Sequence, residues 1–365
     1  MTASAAQTAS PTQPKPWIVV VGGFLGAGKT TLLMAAAHEL ERRGLRSAVV
    51  MNDQGDALVD TEFAALHNLP RGEVTGGCFC CRFSDLVRVM DDLRSFSPDV
   101  IFAEPVGSCT DISATTLQPL RELSDQYRLA PFTVLVDPER AREMLTEDAD
   151  PNLKFLFTKQ LQEADAICFT KSDVSAAYPE IAGIEHPVLR QLSARTGQGV
   201  SAWLDEMLSG KLSAAGKILD IDYEQYACAE AALAWLNLQA DIELPEPIPP
   251  TWLLGPLMDK LDSDFTAAHI RIVHLKAILQ APTGYVKAAV CANGQEPEVE
   301  GNLDASPAHR HSLLLNLRAV GAASDVREII ERNLTGINGK LHNLQLSCFH
   351  PAAPKPERRV AEIRA

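Results

Sequence analysis

The sequence is poor in what would take it to a lipid bilayer. No run approaches the roughly 20 consecutive apolar residues that cross a membrane as a helix, which excludes an ordinary spanning helix. The first residues, "MTASAAQTASPTQPKP", lack the charged start and apolar run of a signal peptide. Their small, polar, proline-bearing composition predicts a disordered leader over 1–15. Positive charge is also scarce. Lys and Arg total 33 against 47 Asp and Glu, a formal net charge of −14. That balance excludes broad binding to nucleic acid or to an anionic membrane surface. The basic end, "KPERRVAEIRA", is short and reads as a flexible, solvated tail within 351–365. Eight cysteines without a secretory signal do not make a disulfide framework. Five of them (Cys109, Cys168, Cys228, Cys291 and Cys348) are scattered singly and read as reduced core residues. Together these features predict a cytoplasmic protein.

What is present is an ordinary globular composition, 46% apolar, in a 365-residue chain long enough for two domains. From Trp17 to about Gly210, short apolar runs alternate with helical periodicity. "WIVVVGG", "RSAVVMND", "DVIFAEPVG", "PFTVLVDP", "ADAICFTKSD" and "PVLRQLSA" read as buried parallel strands. Between them, "KTTLLMAAAHELERRG" with Gly44 as C-cap and "SDLVRVMDDLRSF" with Ser84 as N-cap read as amphipathic helices. The alternation predicts a doubly wound, mostly parallel α/β domain over 16–212. The texture then changes. Strand, helix, a hairpin turning at Thr283 and Gly284, a further strand, a helix around "DVREIIERNL" and a last strand predict a smaller α+β domain over 220–350. Its order resembles a split βαβ layout with an antiparallel sheet. The stripe Leu253, Leu257, Leu261 and Phe265 reads as core.

"GGFLGAGKTT" carries G-x-x-x-x-G-K-T between a strand and a helix, the context that a phosphate-binding P-loop requires. Gly23, Gly26, Ala27 and Gly28 let backbone N–H groups face phosphate oxygens, and the helix start at Thr30 and Thr31 adds partial positive charge. Lys29 is expected on the β- and γ-phosphates, and the Thr30 hydroxyl on Mg²⁺. Downstream, "TKSD" (Thr170, Lys171, Asp173) ends a strand shortly before "SARTG". A carboxylate at Asp173 can accept both the N1–H and the exocyclic amine of guanine, and the Lys171 stem can lie over the base. Ser193 and Ala194 can offer a backbone N–H to guanine O6. GTP is therefore the expected nucleotide, with ATP second. Glu104, at the end of "IFAE", can face Mg²⁺ or orient the attacking water, making Lys29, Thr30 and Glu104 the expected catalytic set. Asp53 and Asp56 in "MNDQGD" can serve Mg²⁺, the γ-phosphate water or a second metal; a plain acidic turn is an equal alternative.

"RGEVTGGCFCC" places Cys78, Cys80 and Cys81 directly after two glycines. A disulfide between neighbours Cys80 and Cys81 would force a strained ring, and an iron–sulfur cluster wants four cysteines in its own spacing. A metal that accepts soft thiolates fits better, and three structural cysteines in a glycine turn are the bland alternative. His309 and His311 could form a weak second metal site, although a solvated loop suits them better; His269 and His274 read as structural.

In that order, "GGFLGAGKTTL", "NDQGD", "GGCFCC", "FAEPVG" and "TKSD" resemble the CobW-like family of P-loop GTPases, whose hallmark is GCxCC, here Gly77 to Cys81. The resemblance is close over the first domain and looser over "HLKAILQAPTGYVKAAV". It implies a Mg²⁺-dependent GTPase that binds zinc, or Co²⁺ or Fe²⁺, and delivers it to a client apo-metalloprotein, with a homodimer left open. Zn²⁺ would sit at two or three of the thiolates, with a carboxylate such as Asp53, a water or a client ligand completing a tetrahedron. GTP would order "MNDQGD" and so bias the metal site, and Arg82 would lower the thiol pKa values. Three departures stand out. Thr170 replaces the family's Asn, Asp53 and Asp56 replace two glutamates, and the long His-rich loop is missing. Two other functions compete: an ATP-using P-loop small-molecule kinase, and a thiol redox sensor with a nucleotide switch.

Overall fold

The computed structural model describes residues 15–55, 59–175, 177–181 and 188–363. Most of the expected leader, and Asp56, lie outside these residues. The first sheet is built from β1 (Trp17–Gly23), β2 (Ser47–Asn52), β3 (Arg71–Val74), β4 (Val100–Glu104), β5 (Arg128–Leu129), β6 (Thr133–Val136), β7 (Ala166–Phe169) and β8 (Val188–Gln191). Its order is β3-β2-β4-β1-β6-β7-β8, with β5 also pairing β1, and every pairing is parallel. Val, Ile and Ala fill β1, β2 and β4 because these strands are covered on both faces. Helices α1 (Lys29–Arg42), α2 (Val59–Leu66), α3 (Phe83–Leu93), α4 (Gln118–Arg121), α5 (Pro138–Met144), α6 (Pro151–Glu163), α7 (Val200–Met207) and α8 (Tyr223–Ala231) accompany the sheet. Val19, Val21, Leu33 and Trp203 share a core on the α1 and α7 side. Ile18, Val20, Met90 and Phe157 share one on the α3 and α6 side. This is the doubly wound arrangement expected from the alternating pattern.

Gly44 leaves α1 in the left-handed region at φ 74°, as its C-cap position requires. Ser84, expected as an N-cap, lies inside the first turn of α3 instead. Its N–H and hydroxyl both donate to Glu357 at 2.9 and 2.6 Å.

The second sheet is antiparallel, in the order β12-β11-β10-β13-β9-β14. Its strands are β9 (Leu233–Ile248), β10 (Arg271–Ala281), β11 (Gly284–Val290), β12 (Glu298–Gly301), β13 (Ala308–Val320) and β14 (Lys340–Phe349). Helices α9 (Pro250–Ala267) and α10 (Ala323–Thr335) bring Leu257, Leu261, Phe265, Ile329 and Ile330 into its core. The sequence β9-α9-β10, then β13-α10-β14, is a split βαβ pair, extended at the β10 edge by the β10–β11–β12 meander.

The two sheets are locked together by buried polar contacts. Arg318 on β13, 4% exposed, donates through Nη2 to both oxygens of Asp53 at 2.8 and 2.7 Å. Asn316 Oδ1 accepts from Val59 N at 2.9 Å. Gly55 has no room for a side chain, since an added Cβ would lie 1.6 Å from Asn237 Nδ2. The segment after β14 returns to the first domain instead of hanging in solvent as the sequence suggests. Glu357 N donates to Cys80 O at 2.9 Å, Val360 N to Ala114 O at 3.0 Å, and Arg359 to Asp111 Oδ2 at 2.8 Å.

Candidate functional site

The carboxyl ends of the parallel strands meet at one edge of the first sheet, the position at which open α/β sheets bind ligands. After β1 the chain turns through Gly26 at φ 81° and Gly28 at φ 87°, and α1 starts at Lys29. Lys29 Nζ donates to Gly23 O at 2.9 Å. The Thr30 hydroxyl lies 3.0 Å from Asp60 Oδ1 and 3.2 Å from Glu104 Oε1. Three hard oxygens therefore converge where the P-loop hydroxyl would meet Mg²⁺, and the second Glu104 oxygen is buried without a partner. This donor set fits the ion. Asp60, at the start of α2, is the aspartate found beside the Thr30 hydroxyl, and Asp56 lies outside the described residues. Asp53 itself is committed to Arg318.

Burial raises the Glu104 carboxyl to about 7, and the nearby Asp60 carboxylate pushes the same way. Burial also works against the Asp60 carboxylate, but the Lys276 and Lys287 ammoniums outweigh it and hold that carboxyl below its usual range. A glutamate whose folded pKa exceeds its unfolded value binds an extra proton when folded. Its stabilising contribution is complete below the unfolded value of 4.5 and is lost as pH rises through about 7. Glu104→Gln should therefore stabilise the fold at pH 8, by on the order of 3 kcal/mol, while impairing turnover. Thermal melts at pH 5 and pH 8, beside activity, check this: the stability gain should appear only at the higher pH.

The base-side residues are spread along the same edge. Thr170 Oγ1 donates to Ala27 O at 3.0 Å and so ties the end of β7 to the P-loop. Lys171, at φ 55°, reaches Asp137 and Glu298, each at 3.0 Å. Asp173 is exposed. Ser193 and Ala194 begin a tight loop in which Ser193 Oγ accepts from Thr196 N at 3.1 Å, and Thr31 lines the phosphate cavity. That cavity holds about 80 Å³ and is walled on one side by Lys276, Lys287, Cys291, Glu298 and Glu300 of the second domain.

The thiols form a second centre behind β2. Gly76, at φ 72°, turns the chain after β3, and Cys81 N donates to Cys78 O at 3.0 Å. This turn brings Cys78 Sγ within 3.5 Å, and Cys80 Sγ within 3.6 Å, of Cys81 Sγ. Cys109 joins them: the sulfurs of Cys78, Cys80 and Cys109 all lie within 4.8 Å of one another, and all three residues are buried. A zinc ion about 2.3 Å from each sulfur of a tetrahedral set holds them about 3.8 Å apart, close to the two shorter separations. Hydrogen bonds from Cys78 and Cys80 lower the Cys109 thiol to about 6, and the Cys80 thiol is pushed up by the same neighbour. Arg82 does not lower the Cys81 thiol, which stands at about 11, raised chiefly by its hydrogen bond with Cys78. Arg82 Nε is spent on Asp85 Oδ2 at 2.6 Å.

Asn52, the last residue of β2, holds the turn that carries the cysteines. Its amide donates to Val74 O and Gly77 O, both at 2.8 Å, and its carbonyl accepts from Phe79 N at 2.9 Å. Gln54 and Ser108, on the switch side and the Cys109 side, both donate to the buried Glu230 carboxylate at 3.3 and 3.1 Å. On the outer side, Lys355 N donates to Cys81 Sγ at 3.2 Å.

The remaining cysteines and histidines are dispersed. Cys168 is buried in the core, Cys348 is intermediate, Cys228 is exposed, and Cys291 lies against Gly26 of the P-loop. His309 and His311 sit on β13, not in a loop, and each bonds a backbone carbonyl at 3.0 Å. His269 lies in the turn just after α9, at φ 57°. His274 is half-buried at the phosphate cavity, its pKa held well below the ordinary value by desolvation and then by the nearby Lys276 and Lys29 ammoniums.

Residues 17–195 match the family model of the CobW/HypB/UreG nucleotide-binding domain. The chain belongs to the CobW-like family of P-loop GTPases. It is 28% identical over 188 residues to the zinc chaperone YjiA of Escherichia coli, covering 49% of this chain and 55% of that protein. It is 27% identical over 217 residues to the zinc-regulated GTPase metalloprotein activator 1 of Schizosaccharomyces pombe, covering 56% and 49%. The chain thus spans about half the length of these relatives. A HypB structure from Helicobacter pylori, in complex with nickel, covers 55% of this chain and 90% of that one at 15% identity and a TM-score of 0.41. No helix among the described residues of this CobW-like protein is long and apolar enough to cross a membrane.

Proposed function

We propose that this protein is a GTP-hydrolysing metallochaperone that carries a divalent ion, zinc by preference, on its thiol cluster and passes it to a client apo-metalloprotein in the cytoplasm. The observation that carries this is the convergence of Cys78, Cys80 and Cys109 on one buried spot, with the half-buried Cys81 sulfur 3.5 and 3.6 Å from those of Cys78 and Cys80. Thiolates in that number favour zinc over Mg²⁺ or Ca²⁺.

On the nucleotide side, the P-loop backbone, Lys29 and Thr31 bind and orient the phosphates, and the exposed Asp173 selects guanine over adenine. Mg²⁺, when bound to Thr30 with Asp60 and Glu104 beside it, neutralises charge on the phosphate oxygens. Glu104 orients the attacking water through its unpartnered oxygen. The link between the centres runs through Asn52. An Asn52–Gly55 segment that moves with the γ-phosphate changes the carbonyls and the Phe79 N–H that shape the cysteine turn. If GTP tightens zinc, zinc must tighten GTP by the same factor.

Zinc chelator competition on reduced protein tests this, run apo, with GDP–Mg²⁺ and with a non-hydrolysable GTP analogue, beside Cys80→Ala. The expected result is tight one-to-one binding that needs Cys80 and shifts about 5- to 150-fold between nucleotide states. Weak binding indifferent to nucleotide and mutation would sink the metal-carrier reading and leave the thiols to redox chemistry. Stronger competition by ATP than by GTP would favour the kinase instead.

A further inference from the structure

The phosphate cavity is not made by the first domain alone. Lys276, on β10 of the second domain, extends across the domain boundary, and its Nζ lies 2.5 Å from Asp60 Oδ2. The other oxygen of Asp60 is the one 3.0 Å from the Thr30 hydroxyl. Lys276 therefore stands one carboxylate away from the P-loop hydroxyl expected on Mg²⁺, lining one cavity with Lys29, Gly28 and Glu104. Its side chain is only 16% exposed and, with His274, interrupts the apolar run "IVHLKAIL". A lysine kept in such a place costs desolvation, and it is offset here by an ion pair with a carboxylate that the Mg²⁺–triphosphate group would compete for. Lys287, the neighbouring cation, is differently committed: it donates to Glu300 at 2.7 Å and lies over the Phe63 ring.

Given the GTP-hydrolysing function proposed above, we propose that Lys276 is a catalytic residue supplied in cis by the second domain, placing its ammonium on the γ-phosphate oxygens. In the step it assists, the water oxygen forms a bond to the γ-phosphorus. The bond to the β–γ bridging oxygen breaks with its electron pair left on GDP, and the water proton ends on the released phosphate. Negative charge grows toward the bridging and γ oxygens, so a fixed ammonium in a water-poor cavity stabilises the transition state more than bound GDP. Lys171, the described cation that the first domain places on this cavity outside the P-loop, is held instead by Asp137 and Glu298, each at 3.0 Å. At about 80 Å³ the cavity is also far below the 300–1,000 Å³ of ordinary ligand pockets. Because Lys276 stands on β10, hydrolysis assisted by it reports on the docking of the two domains.

The test compares the full chain with Lys276→Met and Lys276→Arg, with Asp60→Asn, Lys276→Met as a charge-balanced companion should the single variant fold poorly. GTP turnover is measured beside affinity for GDP and for GDP with aluminium fluoride, a mimic of the transferring phosphoryl group. Lys276→Met should lower kcat by roughly a hundredfold or more. It should lose the fluoride-dependent gain in affinity, keep GDP affinity within about threefold, and regain part of both losses as Lys276→Arg. Unchanged kcat and fluoride response in Lys276→Met, or equal losses for GDP and its fluoride complex, would overturn the role of Lys276 while leaving GTP hydrolysis intact. A wild-type protein that turns over no GTP would overturn both.

Discussion

Cys109→Ala should weaken zinc binding by roughly a hundredfold or more, as severely as Cys80→Ala, although Cys109 lies outside the Cys78–Cys81 motif. Losing a group that only orients a ligand already costs 10- to 100-fold in metal affinity, and losing the ligand itself costs at least the upper end of that range. The geometry makes Cys109 the equal of the motif cysteines: it shares the 4.8 Å triangle with Cys78 and Cys80, the same two sulfurs that Cys81 Sγ approaches at 3.5 and 3.6 Å. Two measurements check this. Chelator competition reads the affinity. Substitution with Co²⁺ reads the number of sulfurs, because thiolate-to-cobalt charge-transfer absorption falls with each one removed. Wild type should give the spectrum of a four-sulfur tetrahedron, and Cys109→Ala and Cys81→Ala should each give that of three. If Cys109→Ala leaves affinity and spectrum unchanged while Cys81→Ala alters both, the motif alone holds the ion. Affinity should also rise with pH, since each ligating thiol must release a proton.

Cys109 shows where sequence reasoning stops. The P-loop could be read because its residues are contiguous and its chemistry is local: glycines for the turn, a lysine, a hydroxyl and a helix start. The parallel sheet could be read because buried strands advertise themselves as apolar runs. The thiol cluster was legible only in its contiguous part. Cys109 looks like any single cysteine near an apolar strand, and it joins the motif only because β2 and β4 are neighbours in the sheet, with Cys109 shortly after β4. Asp60 and Lys276 share that property. Neither stands in a recognisable spacing, and each takes its place through the docking of two domains. The one advance signal for Lys276 was a charge inside an apolar strand, which in isolation fits a solvent-facing position equally well. The tail misled for the same reason: a short basic segment reads as solvated until a partner such as Asp111 is known.

Asp53→Ala should destabilise the protein by about 3–5 kcal/mol and leave the zinc affinity of the folded protein unchanged. Asp53 was a natural metal candidate, being a strand-end carboxylate close to the cysteines in sequence. The structure gives its charge to Arg318, which also donates through Nη1 to Leu236 O and Asn237 Oδ1 and stacks 3.8 Å over the Trp235 ring. Removing the carboxylate strands a guanidinium that burial already disfavours, its pKa lowered by desolvation against the pull of Asp53. Removing both partners avoids the stranded charge, so Asp53→Ala, Arg318→Met should be more stable than Asp53→Ala alone. Denaturant unfolding of the two singles and the double completes the cycle, and zinc competition on the same proteins separates structure from ligation. A hundredfold loss of zinc affinity in folded Asp53→Ala would return Asp53 to the metal site. The expected pattern instead makes the Asp53–Arg318 pair the clamp by which the second domain holds the segment between the two centres. Since Gly55, packed against Asn237, leaves that segment no freedom to move alone, whatever nucleotide does to the switch must also be felt by β9 and β13.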